Sequence, residues 1–131
     1  MPRSLTRRED FRKAYAEGLK VTGRLCVLYL LPGPDDAKAV VASRKVGGAV
    51  QRNRAKRLMR EALRLVVHNP SGLAEKIREC VVVPGDTEGL WMVAVARRRI
   101  LEANVHDVMA EVRSLLAEPL ERNRDDNRRN H

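Results

Sequence analysis

Aromatic side chains are nearly absent from this chain: one Phe, two Tyr and one Trp in 131 residues. Aliphatic residues make up for them, since 44% of the sequence is apolar. A single domain of this length removes roughly two thirds of its unfolded surface from water, so a wholly disordered chain is excluded. Cysteine is as sparse. Cys26 and Cys80 stand far apart, with no CxxC and no accompanying HxxxH, which argues against a zinc site. His68, His106 and His131 are scattered and read as surface or helix-face side chains. No apolar run is long: none exceeds Leu25 to Leu31, against the ~20 residues of a membrane span. The opening MPRSLTRRED is charged throughout and lacks the apolar core of a signal peptide. The expectation is a cytoplasmic protein with no membrane partner. GxxxxGK[ST], GxGxxG and GxSxG are all missing. Paired carboxylates, Ser-His arrangements and metal-ligand spacings are missing too, so the sequence predicts no catalytic residue, no metal ligand and no small-molecule substrate.

What the chain has in excess is positive charge. Lys and Arg number 26 against 17 Asp and Glu, a net charge of +9. That balance points to a polyanionic partner, nucleic acid before an acidic membrane surface. The charge is concentrated. From Arg44 to Arg64 there are eight basic residues and one acid, so these 21 residues carry +7 and the other 110 only +2.

Periodicity places the elements. Thr6-Arg7-Arg8-Glu9 fits a capping box, and Phe11, Ala14, Tyr15 and Leu19 follow on one helical face. A helix is predicted at about 6–17, with Gly18 after its end. Leu25–Leu31 is strand-like and closes at Pro32-Gly33-Pro34-Asp35; Lys38–Ser43 reads as a second strand antiparallel to it. A helix over about 50–67 ends at Asn69-Pro70-Ser71-Gly72, and a short helical turn is expected at 73–79. Cys80–Val83 and Trp91–Ala96 are strand-like and could form a hairpin around Pro84–Gly89. Val105, Val108, Met109, Val112, Leu115 and Leu116 mark an amphipathic helix that packs on a sheet. Pro119 is expected to close it, leaving one domain over 1–118 and a polar, disordered tail over 119–131.

The basic stretch sharpens in helical projection. At 100° per residue, Leu65, Leu58, Ala62, Ala55, Val66, Met59 and Leu63 share an arc of roughly 160°. Lys56, Arg60, Asn53, Arg64 and Arg57 lie opposite, with Arg52 and Arg54 at the edges. Arg52, Lys56, Arg60 and Arg64 repeat every four residues, about 5.4 Å apart. Like charges so spaced repel and destabilise a lone helix, and a phosphate polyanion relieves the repulsion by pairing bidentately with guanidinium groups. A solvated basic face is the plainer alternative, but such faces intersperse acids and here Glu61 is the only one. Gly47 and Gly48, just before the helix, either allow close approach of an anion to the helix N-terminus or make an ordinary tight turn.

The run Ser43-Arg44-Lys45-Val46-Gly47-Gly48-Ala49-Val50-Gln51-Arg52-Asn53-Arg54-Ala55-Lys56-Arg57-Leu58-Met59-Arg60-Glu61-Ala62 closely resembles the signature of the protein subunit of bacterial ribonuclease P. Leu5–Phe11 looks like that family's opening helix and Val27-Leu28-Tyr29 like its first strand, so the resemblance covers about residues 4–117. It implies an α/β domain of two layers (α+β). This has a central sheet, an N-terminal helix, the basic helix in a left-handed βαβ crossover and a C-terminal amphipathic helix. Its fold is similar to a small-subunit ribosomal protein domain and to domain IV of elongation factor G. It further implies two partners, the catalytic ribonuclease P RNA and precursor tRNA, and Mg²⁺ bound mainly by the RNA. The RNA would carry the chemistry, cutting the 5′ leader from precursor tRNA, and the protein would assist as a subunit of the holoenzyme. By match to the family, Arg44, Lys45, Arg52, Asn53, Arg54, Lys56, Arg57 and Arg60 would face the catalytic RNA, joined by Arg64 from the same helical row. Phe11, Tyr15 and Tyr29 would line a cleft for the single-stranded leader, where bases stack on aromatic rings. Two departures stand out. Cys26 occupies a first-strand position where the family carries another aromatic, and the stretch 67–90 is longer than is typical. Arg97-Arg98-Arg99 could add RNA contacts. The competing readings are a ribosomal or RNA-chaperone protein using the same helix, or a DNA-binding regulator.

Overall fold

A computed structural model describes residues 3–78 and 89–129. Five strands, β1 (Arg3–Ser4), β2 (Leu19–Thr22), β3 (Cys26–Gly33), β4 (Ala37–Val41) and β5 (Gly89–Ala96), form one sheet in the order β1-β4-β5-β3-β2. Helices α1 (Arg8–Glu17), α2 (Ala49–Val66), α3 (Pro70–Arg78) and α4 (Val105–Arg129) cover its faces, with a 3-10 turn at Arg98–Glu102 before α4. The mixed α/β architecture with a basic helix between parallel strands is as expected.

Strand alternation divides the core. Cys26, Leu28 and Leu30 of β3 and Leu90, Met92, Ala94 and Ala96 of β5 enter the larger cluster, packed against Ala55, Met59, Ala62 and Leu63 of α2, Ala74 and Ile77 of α3, and Val108, Val112 and Leu115 of α4. Residues of opposite parity, Leu31, Trp91 and Val93, face the other way and are covered by Ala14 of α1 and by Leu5. Three helices therefore seal one face. On the other, a single helix leaves Tyr29, Ala39, Val41 and Val95 half-buried.

The connectivity differs from the expectation in one respect. β4 runs opposite to β3 but is not bonded to it, because β5 lies between them, antiparallel to β3 and parallel to β4. The β4–β5 link is thus a crossover through α2 and α3. A central β5 has apolar residues on both faces (Leu90 to Ala96), which suits the middle of a sheet better than the shorter β4, interrupted by Lys38, does. β1 and β2 were not anticipated; β1 has only two exposed residues, while β2 does alternate, with Val21 fully buried, but over four residues directly after the helix on whose face the periodicity places Leu19.

Helix ends also differ. α1 starts at Arg8 with Arg7 as N-cap and no side-chain cap, so the Thr6–Glu9 capping box does not form. The chain is instead held by Leu5, whose N–H donates to the Lys38 carbonyl at 3.0 Å as β1 joins β4. Gly18 does follow α1, in extended rather than left-handed backbone (φ −71°), its N–H bonded to the Ala14 carbonyl at 2.9 Å. A Cβ there would meet that carbonyl oxygen at 2.4 Å, so the glycine serves close approach. The helical turn after Pro70 is a full helix, started by proline at its first position with Asn69 Oδ1 accepting from Gly72 N–H at 3.1 Å. α4 opens on a reciprocal cap: Asn104 Oδ1 accepts from Asp107 N–H at 2.9 Å and Asp107 Oδ2 from Asn104 N–H at 3.0 Å. Pro119 does not end α4, which continues to Arg129, so the expected break and disordered tail are not what the backbone shows. A proline removes one N–H and disfavours the helix interior, yet strong helix formers follow it in Leu120-Glu121-Arg122. The Cys80–Val83 strand and the hairpin at 84–88 lie outside the described residues.

Candidate nucleic-acid interface

α2 realises the projected two-sidedness. Ala55, Met59, Ala62 and Leu63 are buried, and Leu58 and Val66 pack against the core. Asn53, Arg54, Arg57, Arg60 and Arg64 are exposed, while Arg52 and Lys56 are half-buried along the rim. The nitrogen Nε of Arg52 is shielded from solvent without a hydrogen-bond partner, which costs free energy that a phosphate could return through the same guanidinium. Arg64 is engaged by Glu61, Nη2 to Oε1 at 2.6 Å, one turn along an exposed surface. The hydrogen bond from Arg64 holds the Glu61 carboxyl below its ordinary value. Such a pair contributes little to stability but leaves Arg64 less available than Arg57 or Arg60.

The glycine step resolves as a turn. Val46 is buried and its N–H donates to the Ser43 carbonyl at 3.0 Å; Gly47 N–H donates to the Arg44 carbonyl at 3.2 Å. Gly47 has φ +146°, backbone that side-chain-bearing residues rarely adopt. Gly48 is the N-cap, and its N–H donates to Gln51 Oε1 at 2.6 Å. That donor is therefore spent within the helix. Arg44 and Lys45 are exposed in the turn.

Three of the four aromatic rings meet. Tyr15 stands edge-on to Tyr29 with centroids 4.8 Å apart, and Phe11 lies 6.2 Å from Tyr15. Tyr15 remains 42% exposed; its partial burial, then the neighbouring Tyr29, raises its pKa. Lys20 Nζ sits 5.9 Å from the Tyr29 ring. The fourth ring, Trp91, is structural. It is buried, and its Nε1 donates to Asp35 Oδ1 at 3.0 Å. Asp35 also accepts from Arg3, and these two hydrogen bonds, Arg3 first, hold its carboxyl below its ordinary value.

Phe11 and the basic helix border one groove. A depression of about 730 Å³ is lined by Ser4, Leu5 and Phe11, by Lys38, Ala39 and Val40 of β4, and by Arg57, Arg60, Glu61 and Arg64 of α2. The structure thus brings Phe11 beside Arg57 and Arg60, while Arg44, Lys45 and Arg54 lie outside this groove. Lys38 was missed by sequence reasoning, and only strand parity on β4 could have suggested it. Cys26, compared above with an aromatic cleft position, is on the opposite face, fully buried in the larger core cluster. Its Sγ lies 3.3 Å from Glu111 Oε2, and burial, then Glu111, raises the thiol pKa far above its ordinary value. It takes nothing from the cleft.

This arrangement defines a class: a small α/β domain with a two-sided basic helix on one face of its sheet and an aromatic cluster on the other. The family model for Ribonuclease P matches residues 1–119, and the chain belongs to the ribonuclease P protein family. The ribonuclease P protein component of Caldanaerobacter subterraneus subsp. tengcongensis is 31% identical over 114 residues, covering 86% of this chain and 84% of its own length. That of Dehalococcoides mccartyi strain 195 is 47% identical over 62 residues, 46% of this chain and 52% of the relative, so the match spans about half of that protein. Among solved structures, the RNase P protein from Thermotoga maritima superimposes with a TM-score of 0.62 at 24% identity, covering 88% of this chain and 96% of the other. The RNase P protein of Staphylococcus aureus gives 0.64 at 19%, covering 89% and 94%. At these identities the two structures establish the shared fold. No helix among the described residues is long and apolar enough to cross a membrane.

Proposed function

We propose that the chain is the protein subunit of a ribonuclease P holoenzyme, an endoribonuclease of tRNA processing, and that it holds the catalytic RNA and the 5′ leader of precursor tRNA together. The observation that carries this reading is the groove at the sheet edge, where Phe11, one end of an aromatic cluster suited to unpaired bases, borders the same depression as arginines suited to phosphates. Phe11, Tyr15 and Tyr29 present ring faces and edges to leader bases, which is sequence-tolerant because every base has a π-face. The basic side of α2, with Arg52, Asn53, Arg54, Lys56, Arg57 and Arg60, and the turn residues Arg44 and Lys45 meet the catalytic RNA. Single-stranded leader and folded RNA would thus meet around the sheet edge made by β1 and β4, which positions the leader against the larger RNA's cleavage centre.

The protein supplies no reacting group in this reading. Among the described residues no three His, Cys, Asp or Glu side chains converge as a metal-binding set, so the residues present do not fit a bound Mg²⁺ and no step is assigned to one on this chain. The Mg²⁺ implied by the family would ride on RNA phosphates. Two measurements test the proposal. Combined with the ribonuclease P RNA of its own organism, the protein should accelerate removal of the leader at low Mg²⁺, while RNA-free protein should leave precursor tRNA intact; robust cleavage by the protein alone would sink the reading. In a salt titration of RNA binding, Arg57→Ala and Arg60→Ala should each lower the log–log slope by about 0.7–0.9 per lost phosphate contact. An Arg8→Ala control, at an exposed residue outside the groove, should keep the wild-type slope; an equal fall there would mean the surface is misplaced.

A further inference from the structure

A second basic cluster lies away from the groove. Pairing of Cys26 with Ala96, and of Val41 with Val95, shows that β3 begins at the end of the sheet where β4 and β5 finish. Arg24 precedes β3, Arg44 and Lys45 follow β4, and Arg97, Arg98 and Arg99 follow β5, so six cations converge on this end, all exposed. We propose that Arg24, Arg98 and Arg99 form a second phosphate-binding surface for the catalytic RNA, continuous with Arg44 and Lys45; the inference rests on the functional reading above.

The backbone beneath these arginines is unusually well fastened. Both oxygens of Glu111 accept main-chain N–H groups, from Arg24 at 2.7 Å, Leu25 at 2.9 Å and Cys26 at 3.0 Å. Arg97 donates through its N–H to the Leu25 carbonyl at 2.8 Å and through Nη1 to the Gly23 carbonyl at 2.9 Å. Ile100 is fully buried and anchors the 3-10 turn that carries Arg98 and Arg99. Rigid footing reduces the ordering cost when long side chains are immobilised by a ligand.

The nearby acids do not neutralise them. Arg24 and Arg99 border a depression of about 320 Å³ with Glu102, Asp107 and Glu111. Glu111 is spent on three N–H groups and Asp107 on the Asn104 cap. Glu102 is exposed, and among the described residues no carboxylate forms an ion pair with Arg24, Arg98 or Arg99. The depression is walled by α4, and α2 packs against the 3-10 turn. Both helices lie on the face opposite α1. The surface therefore adjoins α2 rather than the aromatic cleft, and no ring borders the depression. Guanidinium groups without rings match the phosphate ridge of a folded RNA better than the bases of a single strand.

The test is the triple variant Arg24→Ala/Arg98→Ala/Arg99→Ala in the full-length protein, with Arg97 kept because it fastens the turn. Its fold is checked by thermal unfolding. The expected result is a salt-dependence slope for ribonuclease P RNA lower than wild type by about 2 to 3, restored by the corresponding triple lysine variant, with the holoenzyme's preference for precursor over mature tRNA unchanged. A triple variant with the wild-type slope, beside an Arg57→Ala/Arg60→Ala variant whose slope falls, overturns this surface and leaves the functional reading standing. A loss of precursor preference in place of the slope change assigns the arginines to the leader and overturns it too. If wild-type protein does not bind this RNA, both readings fall.

Discussion

Glu111→Ala should lower the unfolding free energy by about 3 kcal/mol, the largest stability loss expected from any single polar side chain among the described residues. The carboxylate accepts from three successive main-chain N–H groups, of Arg24, Leu25 and Cys26, across 85 to 87 residues of sequence. Removing it strands donors that are partly shielded, at about 1–3 kcal/mol for each buried one, with water recovering part of the cost at the exposed Arg24. It also frees the β2–β3 turn from α4, so Gly23, whose Cβ position lies 2.6 Å from the Glu111 carboxyl carbon, loses the partner that makes a side chain there intolerable. Glu111→Gln keeps the volume and one acceptor but turns an NH₂ toward an N–H, so an intermediate loss is expected. Urea unfolding of the three proteins checks this. A loss under about 1 kcal/mol in the alanine variant would show that solvent replaces the carboxylate freely and that Arg97 and the Gly23 N–H to Cys26 carbonyl bond hold the turn without it.

Glu111 also marks where the sequence was readable and where it was not. It occupies an inward position of the stripe Val108, Val112, Leu115, three residues after the first and one before the second, so an acid interrupting an apolar face was the available signal. Its partners, main-chain groups of a distant turn, leave no trace in residue type. α2 was legible almost completely because two independent patterns coincide there, an apolar arc and a concentration of +7 in 21 residues. Strand pairing was not. Sequence neighbours Leu25–Leu31 and Lys38–Ser43 suggested an antiparallel pair, but a both-faces-apolar β5 lies between β3 and β4, and which strand takes the centre is settled by helix packing on two sides. Period two does decide the place of Cys26. It differs in parity from Tyr29, so the two side chains lie on opposite faces. The aromatic trio joined two legible facts, the four-residue spacing of Phe11 and Tyr15 and the outward parity of Tyr29. The nearness of Phe11 to Arg57 and Arg60 depends on β1 and β4 forming the edge around which the groove bends, and β1 has only two residues.

Tyr15→Ala should weaken holoenzyme binding of precursor tRNA by roughly 5- to 150-fold while leaving mature tRNA nearly unchanged, the equivalent of about 1–3 kcal/mol for one stacked base. The ring is the most exposed of the trio at 42%, and it is held by the edge contact with Tyr29 and by Phe11, so it is presented to solvent without being free to wander. Truncation also removes apolar contact with Phe11 and Tyr29, and a modest stability loss is expected from that alone. Two features keep the effects separate. Binding is measured at a temperature where thermal unfolding shows the variant folded, and Tyr15→Phe retains the ring while removing the hydroxyl. If the ring stacks on a leader base, the phenylalanine variant keeps most of the precursor affinity and the alanine variant loses it. If Tyr15 merely supports the core, the alanine variant affects precursor and mature tRNA alike, through loss of folded protein, and the leader assignment of Phe11, Tyr15 and Tyr29 falls while that of the α2 arginines remains. Lys20, 5.9 Å from the Tyr29 ring, supplies a further contrast. Lys20→Ala should lower precursor affinity in a salt-dependent manner, whereas the Tyr15→Ala loss should persist at high salt, because stacking is not screened by counterions.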